Sequence, residues 1–177
     1  GYYSLKELHS LIVRRKLGPI EDTRVNQEIS DRYFIQNACT AVCTAYSGFK
    51  RKALNVMATG TGKTRFAISL VDILMRNDWV KNVLFLADRT ELEKKKKKSF
   101  AKYLPNATLC AISEVSGSQR DFDANVILST YPTMLNLLDT DEKTFGIGRF
   151  DLIIIDECHR SCYNKYQAIF HYFDSLV

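Results

Sequence analysis

The sequence lacks the features by which membrane and secreted proteins are recognised. No apolar run approaches the roughly 18 to 20 residues that a membrane helix needs, and candidates such as Leu152–Ile155 have the length of a strand. No secretory leader precedes the five cysteines, and their odd number argues against a set of disulfide pairs. We therefore expect a cytoplasmic protein without a membrane role.

The chain also lacks an initiator methionine, since it begins with Gly1, and we expect it to be a piece excised from a longer protein. Its 177 residues fit one domain, and a hydrophobic content of 46% is enough to fill a core of that size. The net charge of +5 favours a polyanionic partner if the basic side chains share one face.

Residues 5–49 have helical spacing, and short apolar segments then alternate with helical patterns. This order predicts an α/β fold with a mostly parallel sheet, helices on both of its faces and a helical extension at the N-terminus. Residues 1–30 are predicted to form the extension or a linker, and residues 31–177 the main domain. Asp31 is expected to cap a helix over residues 32–46. The other predicted helices cover residues 63–76, 90–103 and 132–138, and the predicted strands cover residues 53–57, 82–87, 108–112, 125–129 and 151–155.

A glycine-rich loop follows the first predicted strand and precedes a helix. Gly60 and Gly62 permit backbone conformations in which successive amide N–H groups point into one concavity and bind phosphate oxygens. Lys63 lies in the first helical turn, where a cation is unfavourable unless an anion such as a β- or γ-phosphate faces it. The Thr64 hydroxyl is suited to Mg²⁺. The predicted nucleotide phosphate site comprises Thr59, Gly60, Thr61, Gly62, Lys63 and Thr64.

Two adjacent carboxylates, Asp156 and Glu157, follow the last predicted strand. Ligands of parallel sheets bind beyond the carboxyl ends of the strands, so we expect both motifs at one edge. Adjacent acids repel each other, and a dication relieves that repulsion. We assign Asp156 to Mg²⁺ and Glu157 to polarising the attacking water, with His159 as a relay to another site. The alternative is an ordinary strand that ends in two solvated acids.

The nucleotide is expected to be ATP and not GTP. Guanine-binding proteins of the phosphate-loop class carry an Asn-Lys-x-Asp signature, and the nearest match, Asn164-Lys-Tyr-Gln167, lacks the final acid. The sequence therefore favours an adenine nucleotide with Mg²⁺.

The two nucleotide motifs, Met57-Ala-Thr-Gly-Thr-Gly-Lys-Thr64 and Asp156-Glu-Cys-His-Arg-Ser161, resemble those of the first RecA-like domain of superfamily 2 helicases. The residues that flank the second motif resemble in particular the motor (R) subunit of Type I restriction enzymes. Leu84-Phe-Leu-Ala-Asp-Arg89 and Leu128-Ser-Thr-Tyr-Pro-Thr-Met134 resemble the two intervening motifs, which face DNA in that family. The resemblance extends over roughly residues 32–174 and implies that residues 31–177 form a P-loop NTPase domain.

The resemblance also implies roles for residues outside the two nucleotide motifs. Gln36 and Arg32 resemble the adenine-reading element, and the Gln36 amide offers the donor and acceptor that the adenine N6 and N7 edge requires. Tyr33 could pack on the base. Arg89 and Thr130 would bind DNA phosphates through a charged fork and a hydroxyl. The simpler interpretation of all five is that they are ordinary surface or strand-end residues.

The resembled subunit implies partners and activities for a complete protein. These are ATP-driven translocation on double-stranded DNA, a second RecA-like domain and a nuclease domain in the same chain, and methylation and specificity subunits. Because the second domain supplies an arginine finger, we expect weak or absent ATP turnover from these residues alone. Two alternatives remain: a helicase that moves on RNA or DNA, and a non-catalytic module that uses ATP as a switch.

Two further patterns permit more than one interpretation. The five consecutive lysines at positions 94–98 could be a solvated helix face or a patch that contacts phosphate. Cys39 and Cys43, together with Cys158 and Cys162, could hold zinc. The first pair also fits the apolar face of a helix, where cysteine acts as a small hydrophobic residue.

Overall fold

A computed structural model of the chain describes residues 3–114, 120–139, 144–156 and 167–177. Alternation of β-branched runs with amphipathic segments produces strands and helices in the predicted order. The helices are α1 (Leu5–Arg15), α2 (Tyr33–Ser47), α3 (Lys63–Arg76), α4 (Thr90–Tyr103) and α5 (Tyr131–Leu138), and residues 167–172 are also helical. The strands are β1 (Val83–Ala87), β2 (Leu109–Ala111), β3 (Val126–Thr130) and β4 (Leu152–Ile155). None of the described helices has the length and apolar character that a membrane crossing requires.

The four strands form one sheet in the order β2-β3-β1-β4, and every pairing is parallel. The register aligns Ala87 with Thr130 and Leu86 with Ile155, so these strands end at a common edge. A parallel sheet requires a crossover between successive strands, and α4 and α5 supply two of these crossovers. The predicted parallel α/β architecture is therefore confirmed.

Helices cover both faces of the sheet, as predicted. Phe85 of β1 points into a core that α2, α3 and α4 build, with Cys39, Ile68 and Phe100 fully buried there. Leu84 and Leu86 point to the opposite face, where α5 and the helical residues 167–172 cover them. Because all five residues of β1 are buried, this strand has the continuous apolar sequence that a central parallel strand needs.

The predicted strand at residues 53–57 is wrong, since that segment is extended but not assigned to a strand. Within the described part of the chain, backbone bonds join this region to Val177, whose carbonyl accepts from Ala53 N–H at 2.8 Å and whose own N–H donates to Arg51 O at 2.9 Å. Ala53 and Met57 pack against the core, but Leu54 is 84% exposed and Val56 is 85% exposed, so the other side of the segment has no packing to support a strand. Sequence pattern predicts an extended backbone, but strand formation depends on a neighbouring strand.

The expected N-cap of α2 is also wrong. The helix begins one residue later than predicted, with Arg32 at the N-cap, and no side chain caps it. The Arg32 N–H instead donates to the Ser30 hydroxyl oxygen at 3.3 Å, just before the helix begins. Gly48 stands at the other end of α2, as predicted.

The N-terminal segment contains the expected helix α1, but Leu5, Leu8 and Ile12 on its apolar face are exposed. The segment contacts the rest of the domain elsewhere, because Ile29 is fully buried in the core and Tyr3 donates a hydrogen bond to Asp174 at 2.7 Å. The division of the chain at residue 30 stays a prediction.

Candidate functional site

The glycine-rich loop forms a tight turn at the start of α3. The Thr61 hydroxyl donates to the carbonyl of Ala58 at 2.7 Å and closes the turn. Gly60 has φ of 80° and Gly62 has φ of 104°, both in the left-handed region that side chains disfavour. A Cβ at Gly62 would also lie 3.3 Å from Arg32 Nη1 and 3.4 Å from Ile35 Cδ1. Both glycines are therefore needed for the shape of this loop.

A cleft with a volume of about 400 Å³ lies between this loop, α4 and the end of β4. It brings most of the predicted nucleotide residues together at the carboxyl edge of the sheet, where ligands of parallel sheets bind. Four of its lining side chains are cationic and one is a carboxylate, which suits a polyanionic ligand. The residues that line it are Arg32, Thr59, Gly60, Gly62, Lys63, Thr64, Arg65, Leu92, Lys96 and Asp156.

The backbone fixes Asp156 where β4 ends. Its N–H donates to Leu86 O at 3.0 Å, which continues the ladder between β4 and β1 by one bond. The phenol of Tyr131 donates to the Asp156 carbonyl at 3.0 Å from the start of α5. Two neighbouring elements thus hold this residue, and its carboxylate faces the cleft.

Lys96 of α4 bridges the two oxygen groups predicted to bind metal. Its Nζ lies 2.6 Å from the Thr64 hydroxyl and 2.8 Å from Asp156 Oδ2. One cation therefore touches both groups, which proves that their oxygens converge on one point in the cleft. A hydroxyl and a carboxylate are ligands that Mg²⁺ accepts, so this pair fits that metal.

Arg32 lies in the cleft through a contact with the loop. Its Nη1 donates to the carbonyl of Thr61 at 2.6 Å, and its guanidinium lies 5.9 Å from the centre of the Phe34 ring. The first residue of the α2 region is thereby tied to the loop ahead of α3. This position suits a contact with a ligand of the loop.

Gln36, the other predicted adenine residue, is outside the cleft lining. Its Oε1 accepts from Val25 N–H at 2.7 Å, and its Nε2 donates to Thr23 O at 2.8 Å and to Thr40 Oγ1 at 3.0 Å. Both amide hydrogens are used in these bonds, while Tyr33 beside it is 77% exposed. The amide fastens residues 23–25 to α2, and its role toward adenine stays a prediction.

Arg89 and Thr130 lie at the same edge of the sheet, beyond or at the ends of β1 and β3. The Arg89 side chain is 80% exposed and its Nε lies 3.5 Å from Asp88 Oδ2. Thr130 is buried and caps α5, because its hydroxyl accepts from Thr133 N–H at 3.4 Å and bonds to Thr133 Oγ1 at 2.8 Å. The Arg89 side chain is therefore available to a ligand, whereas the Thr130 hydroxyl is already used to cap α5.

Glu157 and His159, like Cys158 and Cys162, lie outside the described residues. Cys39 and Cys43 are fully buried within α2, on the apolar face predicted for them. Burial raises the pKa of the Cys39 thiol to about 12 and that of Cys43 to about 11. Both thiols are therefore neutral in the core at ordinary pH.

Sequence reasoning missed three residues of the cleft: Arg65, Leu92 and Lys96. Arg65 Nη1 donates to Ile29 O, and its guanidinium stacks at 5.0 Å on the Tyr103 ring. Leu92, Lys96 and Phe100 recur at intervals of four, so Lys96 shares the inward face of α4. That spacing is a signal that could have placed Lys96 on the inward face of α4, although it does not identify the groups that Lys96 contacts there.

Comparison with known proteins gives a family match over residues 28–177, to the family described as Type III restriction enzyme, res subunit. The chain is 35% identical over 154 residues to the Type I restriction enzyme EcoAI endonuclease subunit of Escherichia coli. That alignment covers 84% of this chain and 18% of the subunit, so the chain spans less than a fifth of this relative's length.

Solved structures show the same fold. A fragment described as an HsdR subunit of a type I restriction enzyme from Vibrio vulnificus YJ016 aligns with a TM-score of 0.59 at 25% identity, over 97% of this chain and 27% of that one. The SWI2/SNF2 ATPase core domain of Sulfolobus solfataricus aligns with a TM-score of 0.65 at 15% identity, over 91% and 32%. The same core in complex with dsDNA aligns with a TM-score of 0.59 at 20% identity, over 81% and 30%.

These similarities confirm two predictions, the RecA-like fold and the resemblance to restriction-enzyme motor subunits. Since the family match extends from residue 28 to residue 177, the chain belongs to the restriction-enzyme family described as Type III restriction enzyme, res subunit.

Proposed function

We propose that this chain is the ATP-binding half of a motor that drives translocation on double-stranded DNA, within the R subunit of a Type I restriction enzyme. The observation that carries the proposal is the meeting of the glycine loop, Lys63, Thr64 and Asp156 in one cleft at the carboxyl edge of a parallel sheet. The sequence similarity to a Type I restriction enzyme endonuclease subunit supports the assignment to this class of enzyme.

In this proposal, the loop amides and the α3 N-terminus bind the phosphates of ATP. Thr59, Gly60, Thr61 and Gly62 supply the concave backbone, and Lys63 pairs with the β- and γ-phosphates. Arg32 extends this positive surface and, through its contact with Thr61, holds the loop in shape. Gln36 reads the adenine edge, and Tyr33 packs on the base.

Thr64 and Asp156 would hold Mg²⁺, since one cation can touch both oxygens. When bound, the metal would supply positive charge that offsets the negative charge developing on the phosphates. Glu157 orients the attacking water and accepts its proton, and His159 links the nucleotide to another site. In the sequence, Glu157 follows Asp156 directly and His159 lies three positions after Asp156.

The track is proposed to be double-stranded DNA, which Arg89 and Thr130 contact through phosphates. Support comes from the Sulfolobus core, which aligns with this chain and whose structure contains dsDNA. The exposed Arg89 and the net charge of +5 agree with a polyanionic partner. The remaining assembly is expected to include methylation and specificity subunits, in the cytoplasm.

Calorimetry on the full-length protein tests the nucleotide site. Wild-type protein should bind ADP or a non-hydrolysable ATP analogue more tightly with Mg²⁺ than with EDTA, and Lys63→Ala should lose at least about tenfold in affinity. Lys50→Ala, an exposed lysine before the loop segment, is the matched control and should bind as wild type. Absence of binding, or equal binding by Lys63→Ala, would reject the proposal.

Two comparisons separate the proposal from its rivals. A Glu157→Gln variant should abolish ATP hydrolysis by the full-length enzyme while nucleotide still binds, whereas a pure switch module would keep its ATPase rate. Competition between duplex DNA and RNA on the full-length enzyme separates a DNA motor from an RNA helicase. The 177 residues alone are expected to hydrolyse ATP weakly or not at all, because a second RecA-like domain supplies the arginine finger.

A further inference from the structure

The inference concerns Lys96, a residue that neither nucleotide motif contains. Its ammonium lies 2.6 Å from Thr64 Oγ1 and 2.8 Å from Asp156 Oδ2, and 5.6 Å from the centre of the buried Phe85 ring. The side chains of Lys96 and Asp156 are each only 12% exposed. The ammonium is therefore a shielded cation with two oxygen partners and an aromatic face, which is unlike a solvated surface lysine.

The neighbouring lysines of the same run differ from Lys96. Lys94, Lys95 and Lys98 are exposed, because the helical repeat turns them away from the face that Leu92 and Phe100 share. The two arginines of the cleft are also occupied elsewhere: Arg32 donates to Thr61 O and Arg65 to Ile29 O. Among these basic side chains, Lys96 is the one placed between the Thr64 and Asp156 oxygens.

An ammonium and a divalent cation compete for these two oxygens. The ammonium donates hydrogen bonds to the same lone pairs that would coordinate Mg²⁺, and two cations at one pair of oxygens repel each other. A bound metal therefore requires the ammonium to leave. The lysine side chain has four rotatable bonds, so its ammonium can move away from the two oxygens without movement of α4.

We propose that Lys96 competes with the divalent cation for the Thr64–Asp156 oxygen pair. Its ammonium occupies these oxygens before nucleotide binds and withdraws when the metal–nucleotide complex enters. This inference rests on the proposed function, because it uses Thr64 and Asp156 as metal ligands. It makes Lys96 a residue that sets metal affinity. In the free protein, the Lys96 ammonium balances the charge of the Asp156 carboxylate. This ion pair must break before the metal binds, so Lys96 lowers the affinity for the metal.

Manganese binding to the full-length protein tests this inference. Mn²⁺ replaces Mg²⁺ at oxygen sites, and electron paramagnetic resonance measures its free concentration in the presence of saturating ADP. Lys96→Met should bind Mn²⁺ about tenfold more tightly than wild type, because the competing cation is gone. Lys95→Met removes the same charge from an exposed position of the same helix and should stay close to wild type.

The outcomes separate this inference from the proposed function. If Mn²⁺ binds to wild type and to Lys96→Met with equal affinity, or more weakly to the variant, Lys96 is not a competitor, although the metal site stands. If no Mn²⁺ binds to wild type or to Lys96→Met with ADP present, the metal site and the inference both fail. Lys96→Arg, which keeps a cation, should not gain the affinity that Lys96→Met gains.

A measurement on the wild-type protein does not depend on the folding of a variant. An amine-acetylating reagent followed by peptide mass spectrometry reports the accessibility of Lys96 relative to Lys95. The ratio should rise when Mn²⁺ and ADP are added together, since the ammonium leaves its two oxygen partners. An unchanged or lower ratio would show that Lys96 stays in place, which overturns the inference.

Discussion

Arg32 and Thr61 are joined by a hydrogen bond of 2.6 Å from the guanidinium to the backbone carbonyl, although they are 29 residues apart in sequence. The bond joins the glycine loop to the residue at the N-cap position of α2. It also leaves the other guanidinium nitrogens free to face a ligand in the cleft. The shape of the loop is thus partly determined by a side chain from outside it.

Arg32→Ala should weaken nucleotide binding by about fivefold, because it removes a charge-assisted hydrogen bond worth about 1 kcal/mol at this exposed position. Isothermal calorimetry with Mg²⁺–ADP measures the change. Arg24→Ala, which removes an equally exposed guanidinium beside Asp22, is the control and should bind as wild type. Unchanged affinity of Arg32→Ala would mean that the loop holds its shape without this bond.

Gln36→Ala should have two separable effects. Loss of the bonds to Thr23, Val25 and Thr40 should lower the free energy of unfolding by about 1 to 3 kcal/mol, as measured by denaturant titration. Loss of the proposed adenine contact should reduce the preference for ADP over GDP. A destabilised variant that keeps its full preference for ADP would assign Gln36 to structure alone.

Asp151 is buried at the start of β4, and its Oδ2 accepts from the N–H groups of Lys81 and Asn82, each at 2.9 Å. Asp151→Ala leaves two backbone donors without this partner and should destabilise the domain by about 2 to 4 kcal/mol. Asp151→Asn keeps a carbonyl oxygen at the same position and should cost less. Chemical denaturation ranks the two variants, and equal losses would contradict the assigned role of Oδ2.

The buried thiols of α2 predict a dependence of stability on alkaline pH. In the unfolded chain both thiols ionise near their ordinary value of 9.0, but in the folded domain burial raises the pKa of Cys39 to about 12 and of Cys43 to about 11. Below pH 9 the thiols are protonated in both states and contribute no pH dependence. Above pH 9 the unfolded chain releases protons that the folded domain retains, so stability falls as pH rises.

Thermal unfolding at pH 8 and pH 10 measures this fall. A Cys39→Ala, Cys43→Ala double variant should lose less stability between the two pH values than wild type does, even if the smaller side chains lower its stability at both. Other groups titrate equally in the two proteins, so the difference isolates the thiols. Parallel behaviour of the two proteins would show that the thiols ionise alike in the folded and unfolded states.

Arg89 should contribute one phosphate contact to DNA binding by the full-length protein. Arg89→Ala should weaken duplex binding similarly for all sequences and reduce the slope of log affinity against log salt by about 1. Arg24→Ala is the control, because it removes the same charge beside Arg76, the last residue of α3. It should leave the slope unchanged. An unaltered slope in Arg89→Ala would remove this residue from the DNA contacts.

Local pattern was sufficient for most of the fold. The helices at 63–76 and 90–103 begin and end where the sequence predicts, because the glycine before the first helix and the amphipathic spacing of both helices act within a few residues. The strands β1, β3 and β4 lie within one residue of their predicted bounds, since each is a short apolar run flanked by polar residues. The segment at 53–57 differs because its strand character depends on backbone partners that only the fold supplies.

The sequence by itself determined the chemistry of the cleft: a glycine loop followed by Lys63 and Thr64, and a carboxylate, Asp156, at the end of an apolar strand. Parallel strands then bring these groups to one edge. Only the tertiary structure decided that Lys96 enters the cleft while Lys95 points outward, and that the Gln36 amide holds residues 23–25. These partners are far apart in the chain, so their pairing depends on how α2, α3 and α4 pack, which local sequence preferences do not specify.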